Sequence, residues 1–221
     1  MTGKSRSDQE LYRKHFRVAV FGSARVKQNE PPAREIYRLA KLIAAEDIDI
    51  VTGGGPGIMQ AANKGHRDGR KSQDVQSFGL NIKLPEEQKA NRHLDIKEEF
   101  HRFSERLDTF MMLSNAVVVA PGGVGTLLEF SYAWQLVQVR HIHDIPIILL
   151  GTMWARFLKW IERYPLKRGF LDAEDLNNLF LAKNYTEAFG IIKQFYEAYQ
   201  RGDRHPCINM KKYNIEIRED G

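Results

Sequence analysis

A chain of 221 residues with 43% hydrophobic content is long enough to bury the core of one ordinary domain and too apolar to be intrinsically disordered. It contains no apolar run of about 18 residues, and residues 1–14 are polar, so neither a membrane-spanning helix nor a signal peptide is expected. The net charge of +5 is scattered among 28 acidic residues without a basic block interleaved with aromatics, which disfavours nucleic acid as a partner.

Strands and helices are predicted to alternate along residues 16–201, between an N-terminal extension (1–15) and a polar C-terminal tail (202–221). The predicted strands cover 17–21, 48–52, 75–82, 116–120, 145–150 and, as a strand or turn, 178–181. The predicted helices cover 9–15, 33–46, 58–66, 104–114, the segment after the 121–129 turn up to 139, 154–163 and 186–199, with a polar loop over 83–97. This alternation predicts a single α/β domain, a Rossmann-like open parallel sheet with helices on both faces.

The stretch Pro121-Gly122-Gly123-Val124-Gly125-Thr126-Leu127-Leu128-Glu129 is the most informative part of the chain. It joins a buried strand to a helix, and the free N–H groups and positive dipole end of a helix N-terminus bind phosphate. The predicted phosphate contacts are Gly122, Gly123, Gly125 and the hydroxyl of Thr126. Glu129 follows one helical turn later, where it is poorly placed for an anion but well placed for the sugar attached to that phosphate.

A second glycine-rich turn, Gly53-Gly54-Gly55-Pro56-Gly57, also lies between a strand and a helix. Neither turn matches the G-x-x-x-x-G-K-[ST] or G-x-G-x-x-G pattern, but two such turns on one chain favour nucleotide binding. The further predicted nucleotide contacts are Gly54, Gly55, Gly57 and Met59 around this turn, Gly22 and Ser23 after the first strand, and Asn81 at the end of the third. Packing explains Met59 better than ligand chemistry does, whereas turn formation explains Ser23 and Asn81 as well as ligand contact does.

The two motifs, Thr52-Gly53-Gly54-Gly55-Pro56-Gly57-Ile58-Met59 and the 121–129 stretch, together resemble the LOG family. These proteins are cytokinin-activating phosphoribohydrolases that are often mislabelled as possible lysine decarboxylases. The similarity extends from about 17 to 195 and includes 21–25, 79–82, 84–88 and the region of Arg106. The resemblance implies a Rossmann-like fold, a homodimer, and hydrolysis of AMP or an N6-modified AMP to free base and ribose 5-phosphate.

The resemblance matches Arg106 and Glu129 to the catalytic pair proposed for the family. Cleavage of an N-glycosidic bond develops positive charge on the ribose, which the Glu129 carboxylate can stabilise while also taking a proton from water. Arg106 is a poor proton donor, and it either holds the phosphate or pairs with Glu129. The acid that protonates the leaving base is unassigned. Leu107 and Leu128 stand where the family usually has Lys and an acidic residue, which leaves substrate choice open.

Three other functions compete with hydrolysis. A non-catalytic carrier of a nucleotide or of molybdenum cofactor would need the same phosphate-binding turns. A lysine decarboxylase would need a Schiff-base lysine beside a phosphate site, and neither glycine turn contains a lysine. A DNA-processing protein of related topology is disfavoured by the lack of a basic, aromatic stripe.

The sequence also predicts the oligomeric state, the cellular compartment and the cofactor requirement. The surplus of large apolar residues in the helices around 109–113 and 130–139 predicts at least a dimer. The single cysteine, Cys207, excludes an internal disulfide and fits a reducing cytoplasm. The histidines show no metal-ligand spacing, and neither a metal nor another cofactor is expected.

Overall fold

The computed structural model describes residues 15–83 and 90–203. Their strands form one seven-stranded sheet in the order β4-β3-β2-β1-β5-β6-β7, and every neighbouring pair is parallel. The strands are β1 Arg17–Phe21, β2 Asp49–Thr52, β3 Ser77–Ile82, β4 Ile96–Phe100, β5 Ala116–Val119, β6 Ile147–Leu150 and β7 Leu179–Ala182. The predicted open parallel sheet is confirmed.

The described residues also form six α-helices. They are α1 Pro31–Ala45, α2 Ile58–Gly69, α3 Phe103–Leu113, α4 Val124–Gln138, α5 Thr152–Ile161 and α6 Tyr185–Gln200. A π-helical turn, Glu162–Leu166, extends α5, and a short 3₁₀ helix, Ala173–Leu176, precedes β7. Helix α1 begins with two prolines. The first N–H groups of a helix have no partner within the helix, so proline, which lacks an N–H, costs no hydrogen bond there. None of these helices is long and apolar enough to cross a membrane.

The sheet is covered on both faces, as predicted. Because side chains alternate along a strand, Val18 and Val20 of β1 pack into one cluster while Ala19 and Phe21 pack into another. The first cluster includes buried residues of α1, α2 and α6, and the second includes those of α3, α4 and α5. All five residues of β1 are buried, as expected for a central strand of a parallel sheet.

The predicted loop over 83–97 is wrong at its C-terminal end. Residues Ile96–Phe100 form β4, an edge strand that pairs with β3 in the register Phe78↔Ile96. Its residues alternate between partly buried and exposed, because only one neighbour and one face need covering at an edge. Because β4 contains the polar sequence Lys97-Glu98-Glu99, a search for continuous apolar runs does not detect it. The predicted helix at 9–15 (apart from its last residue), the 84–88 motif and Cys207 lie outside the described residues.

The sheet reverses its strand order at β1, which lies between β2 and β5. Ligands of open α/β sheets bind at the carboxyl ends of the strands at such a switch point. The segments that follow β1, β2 and β5 are the Gly22–Ser23 loop and the two glycine-rich turns. The topology thus brings all three predicted binding segments to one edge of the sheet.

A buried histidine lies on α2 away from these turns. His66 is fully buried, and its Nε2 lies 3.0 Å from the carbonyl oxygen of Ile48. Because a carbonyl only accepts, Nε2 carries the proton, while Nδ1 is buried without a partner among the described residues. Burial lowers the pKa of His66 to about 4, since a second proton would place an unpaired charge in the core.

We expect this histidine to make the fold less stable in mild acid. Between the unfolded-state pKa and about pH 4, the unfolded chain binds a proton that folded His66 excludes, so the free energy of unfolding falls as the pH falls. Between about pH 7.5 and pH 5 the loss amounts to about 2 kcal/mol. Urea unfolding at several pH values measures it. His66→Gln should be less stable at neutral pH but have a shallower pH slope, and an unchanged slope would contradict this assignment.

Candidate functional site

The loop after β1 ties the other binding segments together. The Ser23 N–H donates to the carbonyl of Pro121 at 3.1 Å, and the Ser23 carbonyl accepts from the N–H of Ile58 at 3.0 Å. One residue therefore joins the start of the 121–129 stretch to the start of α2. Gly57 has a φ of +68°, and a Cβ on it would lie 2.3 Å from the Ser23 carbonyl oxygen, so only glycine fits this crossing.

A buried polar network supports the turn after β2. The hydroxyl of Thr52 accepts from the Gly54 N–H and donates to Asn63 Oδ1, both at 2.9 Å. The Asn91 side-chain amide donates to Asn63 Oδ1 at 2.9 Å and lies 3.1 Å from the Gly54 carbonyl. The Asn63 amide in turn donates to Ser77 at 2.8 Å. These contacts hold the backbone of the turn in one shape.

The sequence interpretation missed the residues of this network. Asn63 lies on the buried face of α2 with 0% exposure. A polar residue among the apolar positions of that face could have indicated a buried hydrogen-bond network. Asn91 offered no such indication, because its partner lies 28 residues away in the chain.

The turn after β5 leaves open space at the N-terminus of α4. A Cβ on Gly122 would lie 2.0 Å from the Thr126 hydroxyl, so packing within the turn requires that glycine. A Cβ on Gly123 or Gly125 would meet nothing within 4 Å. The fold itself therefore has room for side chains at these two positions. Their absence leaves the first N–H groups of α4 accessible to a ligand.

These segments surround a cavity of about 490 Å³. It is lined by Gly22, Ser23, Ala24, Arg25, Gly53, Met59, Asn81, Ile82, Arg106, Gly123, Val124, Gly125, Thr126 and Glu129. Nine of the predicted site residues lie in this lining: Gly22, Ser23, Met59, Asn81, Arg106, Gly123, Gly125, Thr126 and Glu129. Gly54, Gly55, Gly57 and Gly122 are not lining residues, and they belong to the turns that frame the cavity.

Arg106 and Glu129 form a hydrogen-bonded ion pair in this cavity, at 3.0 Å between Arg106 Nη1 and Glu129 Oε1. Only 8% of the arginine and 14% of the glutamate side chain are exposed. The Arg106 Nε also donates to the Leu80 carbonyl at 2.7 Å, and the guanidinium lies 5.0 Å from the centre of the Phe110 ring. Of the two roles left open for Arg106, the geometry matches the pairing with Glu129.

Burial raises the pKa of the Glu129 carboxyl, and the neighbouring Arg106 charge and hydrogen bond oppose that rise. The carboxyl is thereby held in one orientation by a partner that favours its charged form. A carboxylate of this kind can stabilise a developing positive charge and exchange a proton with water.

Asn81 presents an unused acceptor. The residue is 7% exposed, and its Oδ1 has no hydrogen-bond partner among the described residues. The oxygen packs against Gly54, where a Cβ would lie 2.2 Å from it. A residue of the cavity wall thus contains a buried polar atom whose hydrogen-bonding capacity the described residues leave unused.

Leu107 and Leu128, where the sequence departs from the LOG pattern, lie outside the lining, and so does Asp108, two residues after Arg106. Asp108 accepts a hydrogen bond from the Tyr132 hydroxyl on α4. Leu107 is 5% exposed and belongs to the buried residues of the protein, whereas Leu128 is 46% exposed. The two departures from the LOG pattern therefore do not alter the described wall of the cavity.

Comparison with known proteins identifies relatives of two kinds. Residues 59–192 match the family described as "Possible lysine decarboxylase". A pyrimidine/purine nucleotide 5′-monophosphate nucleosidase of Escherichia coli K12 is 27% identical in a 145-residue alignment that covers 61% of this chain and 30% of that protein. The match thus spans less than a third of the length of the curated relative.

Two solved structures share the fold. The molybdenum cofactor binding protein of Rippkaea orientalis superposes with a TM-score of 0.61 at 21% identity, covering 83% of this chain and 98% of that one. The molybdenum cofactor carrier protein of Chlamydomonas reinhardtii gives a TM-score of 0.57 at 22% identity, covering 83% and 99%.

Proposed function

This chain belongs to the family described as possible lysine decarboxylases, the LOG family, and we propose that it hydrolyses the N-glycosidic bond of a nucleoside 5′-monophosphate. The observation that carries the proposal is the buried Arg106–Glu129 pair, in the same cavity as the open N-terminus of α4. The nucleosidase relative supports the same class of reaction. AMP or an N6-modified AMP is the proposed substrate, since the resemblance to LOG proteins points to these.

The proposed mechanism assigns each end of the cavity one part of the substrate. The 5′-phosphate binds the N–H groups at the start of α4 and the Thr126 hydroxyl, which directs the ribose toward Glu129. As the bond from C1′ to the base breaks, the base leaves with the electron pair and the ribose becomes oxocarbenium-like. Glu129 stabilises that charge and accepts a proton from the water that attacks C1′. The base takes up a proton, and the products are free base and ribose 5-phosphate.

Arg106 acts on Glu129 rather than on the substrate. Its three contacts, to Glu129, Leu80 and the Phe110 ring, leave it little freedom to follow a phosphate group. Its charge favours the ionised carboxylate that burial alone would disfavour.

The chemistry suggested by the family's description does not fit the cavity. Pyridoxal-dependent decarboxylation needs a lysine for the Schiff base, and the described lining contains arginines but no lysine.

Incubation of the purified chain with a panel of nucleoside monophosphates tests the proposal. Chromatography should show adenine and ribose 5-phosphate accumulating in equal amounts from AMP. If several nucleotides bind but none is cleaved, the protein is a carrier of a nucleotide or of molybdenum cofactor instead.

Gly125→Ala tests the open space at α4. The added Cβ meets no protein atom within 4 Å, and alanine is the better helix former, so the melting temperature should be unchanged or slightly higher. The methyl group stands where the phosphate approaches the backbone, so the KM for AMP should rise by about tenfold. Steady-state kinetics with a thermal melt measures both. Gly190→Ala, at a second helical glycine that lies on α6 and outside the cavity lining, controls for glycine replacement within a helix; an unchanged KM in Gly125→Ala would contradict the assignment.

We also propose that the chain assembles at least as a dimer. Of the apolar residues that suggested this, Phe110, Met111, Phe130 and Val137 are buried within the chain's own core, whereas Met112 is 67% exposed. Exposed Phe103 (50%) on the same helix adds to the apolar surface. Light scattering should give a mass of at least twice the chain mass of 25.5 kDa, and Met112→Asp should shift it toward the monomer. A wild-type monomer at micromolar concentration would contradict the proposal.

A further inference from the structure

Three charged residues line the cavity, and two of them neutralise each other. Arg106 and Glu129 are joined by the ion pair described above, so together they contribute no net charge. The third is Arg25. The net charge of the described lining therefore rests on a residue to which neither the glycine motifs nor the proposed mechanism gives a role.

Arg25 sits at the switch point of the sheet. It lies two residues after Ser23, and its backbone N–H donates to the Ser23 hydroxyl at 3.1 Å. Ser23 is itself held by Pro121 and Ile58, so the start of this loop has a fixed position beside the turn after β5. The Ser23 hydroxyl thus helps to hold the loop, and Arg25 is the charged group that the loop carries to the cavity.

The guanidinium of Arg25 is uncommitted. The residue is exposed, and in residues 15–83 and 90–203 its side chain makes no hydrogen bond or ion pair. The guanidinium of Arg106, by contrast, donates hydrogen bonds to Leu80 and Glu129. A free arginine on a cavity wall is suited to bind an anion in the two-pronged manner that guanidinium favours.

A second observation indicates that this cavity takes a ligand. Asn81 lines the same cavity, and its side-chain oxygen, buried against Gly54, has no hydrogen-bond partner in the described chain. A helix N-terminus also carries only about half a positive charge, so it does not by itself neutralise a phosphate dianion.

We propose that Arg25 is the cationic contact for the 5′-phosphate and selects nucleotides over nucleosides. The proposal rests on the proposed function only in taking a nucleoside 5′-monophosphate as the ligand; it concerns binding and needs no turnover. Arg25 supplies the full charge, while the start of α4 and Thr126 supply the directed hydrogen bonds. Because Arg25 binds the phosphate, Arg106 keeps its ion pair with Glu129.

Isothermal titration of the full chain with AMP and with adenosine tests the proposal. Arg25→Ala should weaken AMP binding by about tenfold, the loss expected for a charge-assisted bond at a partly solvated site, and leave adenosine binding unchanged. Arg25→Lys should recover part of the loss. Lys27→Ala is the matched control: it removes a positive charge from the same loop, but residue 27 does not line the cavity, so its AMP affinity should stay within about twofold.

Two results would overturn the proposal: equal affinity of Arg25→Ala and wild type for AMP, or a loss that is the same for AMP and adenosine. Thermal melts of each variant distinguish lost binding from lost folding. If the wild type binds AMP but cleaves nothing, a selective loss in Arg25→Ala still supports the phosphate contact while the proposed hydrolysis fails. If the wild type cleaves AMP and Arg25→Ala binds it normally, the hydrolysis stands and the Arg25 assignment fails.

Discussion

Replacement of Glu129 by glutamine should lower kcat for AMP hydrolysis by about a hundredfold or more while changing the Kd for AMP only slightly. Glutamine keeps the shape of the side chain and an oxygen for the Arg106 hydrogen bond. It removes the charge that stabilises the oxocarbenium-like ribose, and it removes the base that takes a proton from water. Single-turnover measurements with saturating enzyme, together with titration calorimetry, separate the two quantities.

The control for this variant is Glu105→Gln. Glu105 precedes Arg106 on α3 but is exposed and pairs with Arg102 at the surface, so its loss should leave kcat near the wild-type value. Near-normal turnover in Glu129→Gln would refute the mechanism, whatever the result for Glu105.

The pH dependence of turnover tests the same role of Glu129. Burial raises the pKa of Glu129, and turnover requires the carboxylate, so activity should fall as the pH drops through a pKa above that of an ordinary glutamate. Removing the opposing charge in Arg106→Ala should move this acidic limb to still higher pH. The residual activity of Glu129→Gln should lack the limb.

The second large effect concerns the phosphate itself. The specificity constant for AMP should exceed that for adenosine by about a hundredfold or more, since two or three charge-assisted bonds at roughly 1.5–3 kcal/mol each depend on the phosphate. These bonds hold C1′ against Glu129, so their loss should lower kcat as well as affinity. Both substrates are measured side by side with the same enzyme preparation.

Thr126→Val should reproduce part of that loss for AMP and leave adenosine unaffected. Thr126 is 4% exposed and lines the cavity, so valine keeps its shape and removes the hydroxyl donor. Thr109→Val is the matched control, because the Thr109 hydroxyl bonds the Glu105 carbonyl within α3 and lies outside the cavity lining. Equal specificity constants for AMP and adenosine in the wild type would mean that the glycine turn serves packing alone.

Much of the fold could be predicted from local sequence, and the reason is physical. The segment 116–120 is a continuous apolar run, which is what a strand covered on both faces requires, and Pro121 and two glycines follow it. The alternation of such runs with amphipathic helices leaves few topologies other than a parallel sheet. Strand β4 was missed because an edge strand carries polar residues on its exposed positions, which is also the pattern of a loop.

The sequence by itself determined that a glycine-rich turn joins β5 to α4 and that Glu129 follows it by one helical turn, because both are consequences of local chain geometry. It left the role of Arg106 undecided between the phosphate and Glu129. The packing of α3 against α4 places the Arg106 guanidinium against Glu129, 23 positions away in the chain, and this contact supports the proposed pairing. The Thr52–Asn63–Asn91 network and the uncommitted charge of Arg25 likewise exist only in the folded chain. Which polar groups find partners, and which remain free for a ligand, depends on long-range packing that no local pattern records.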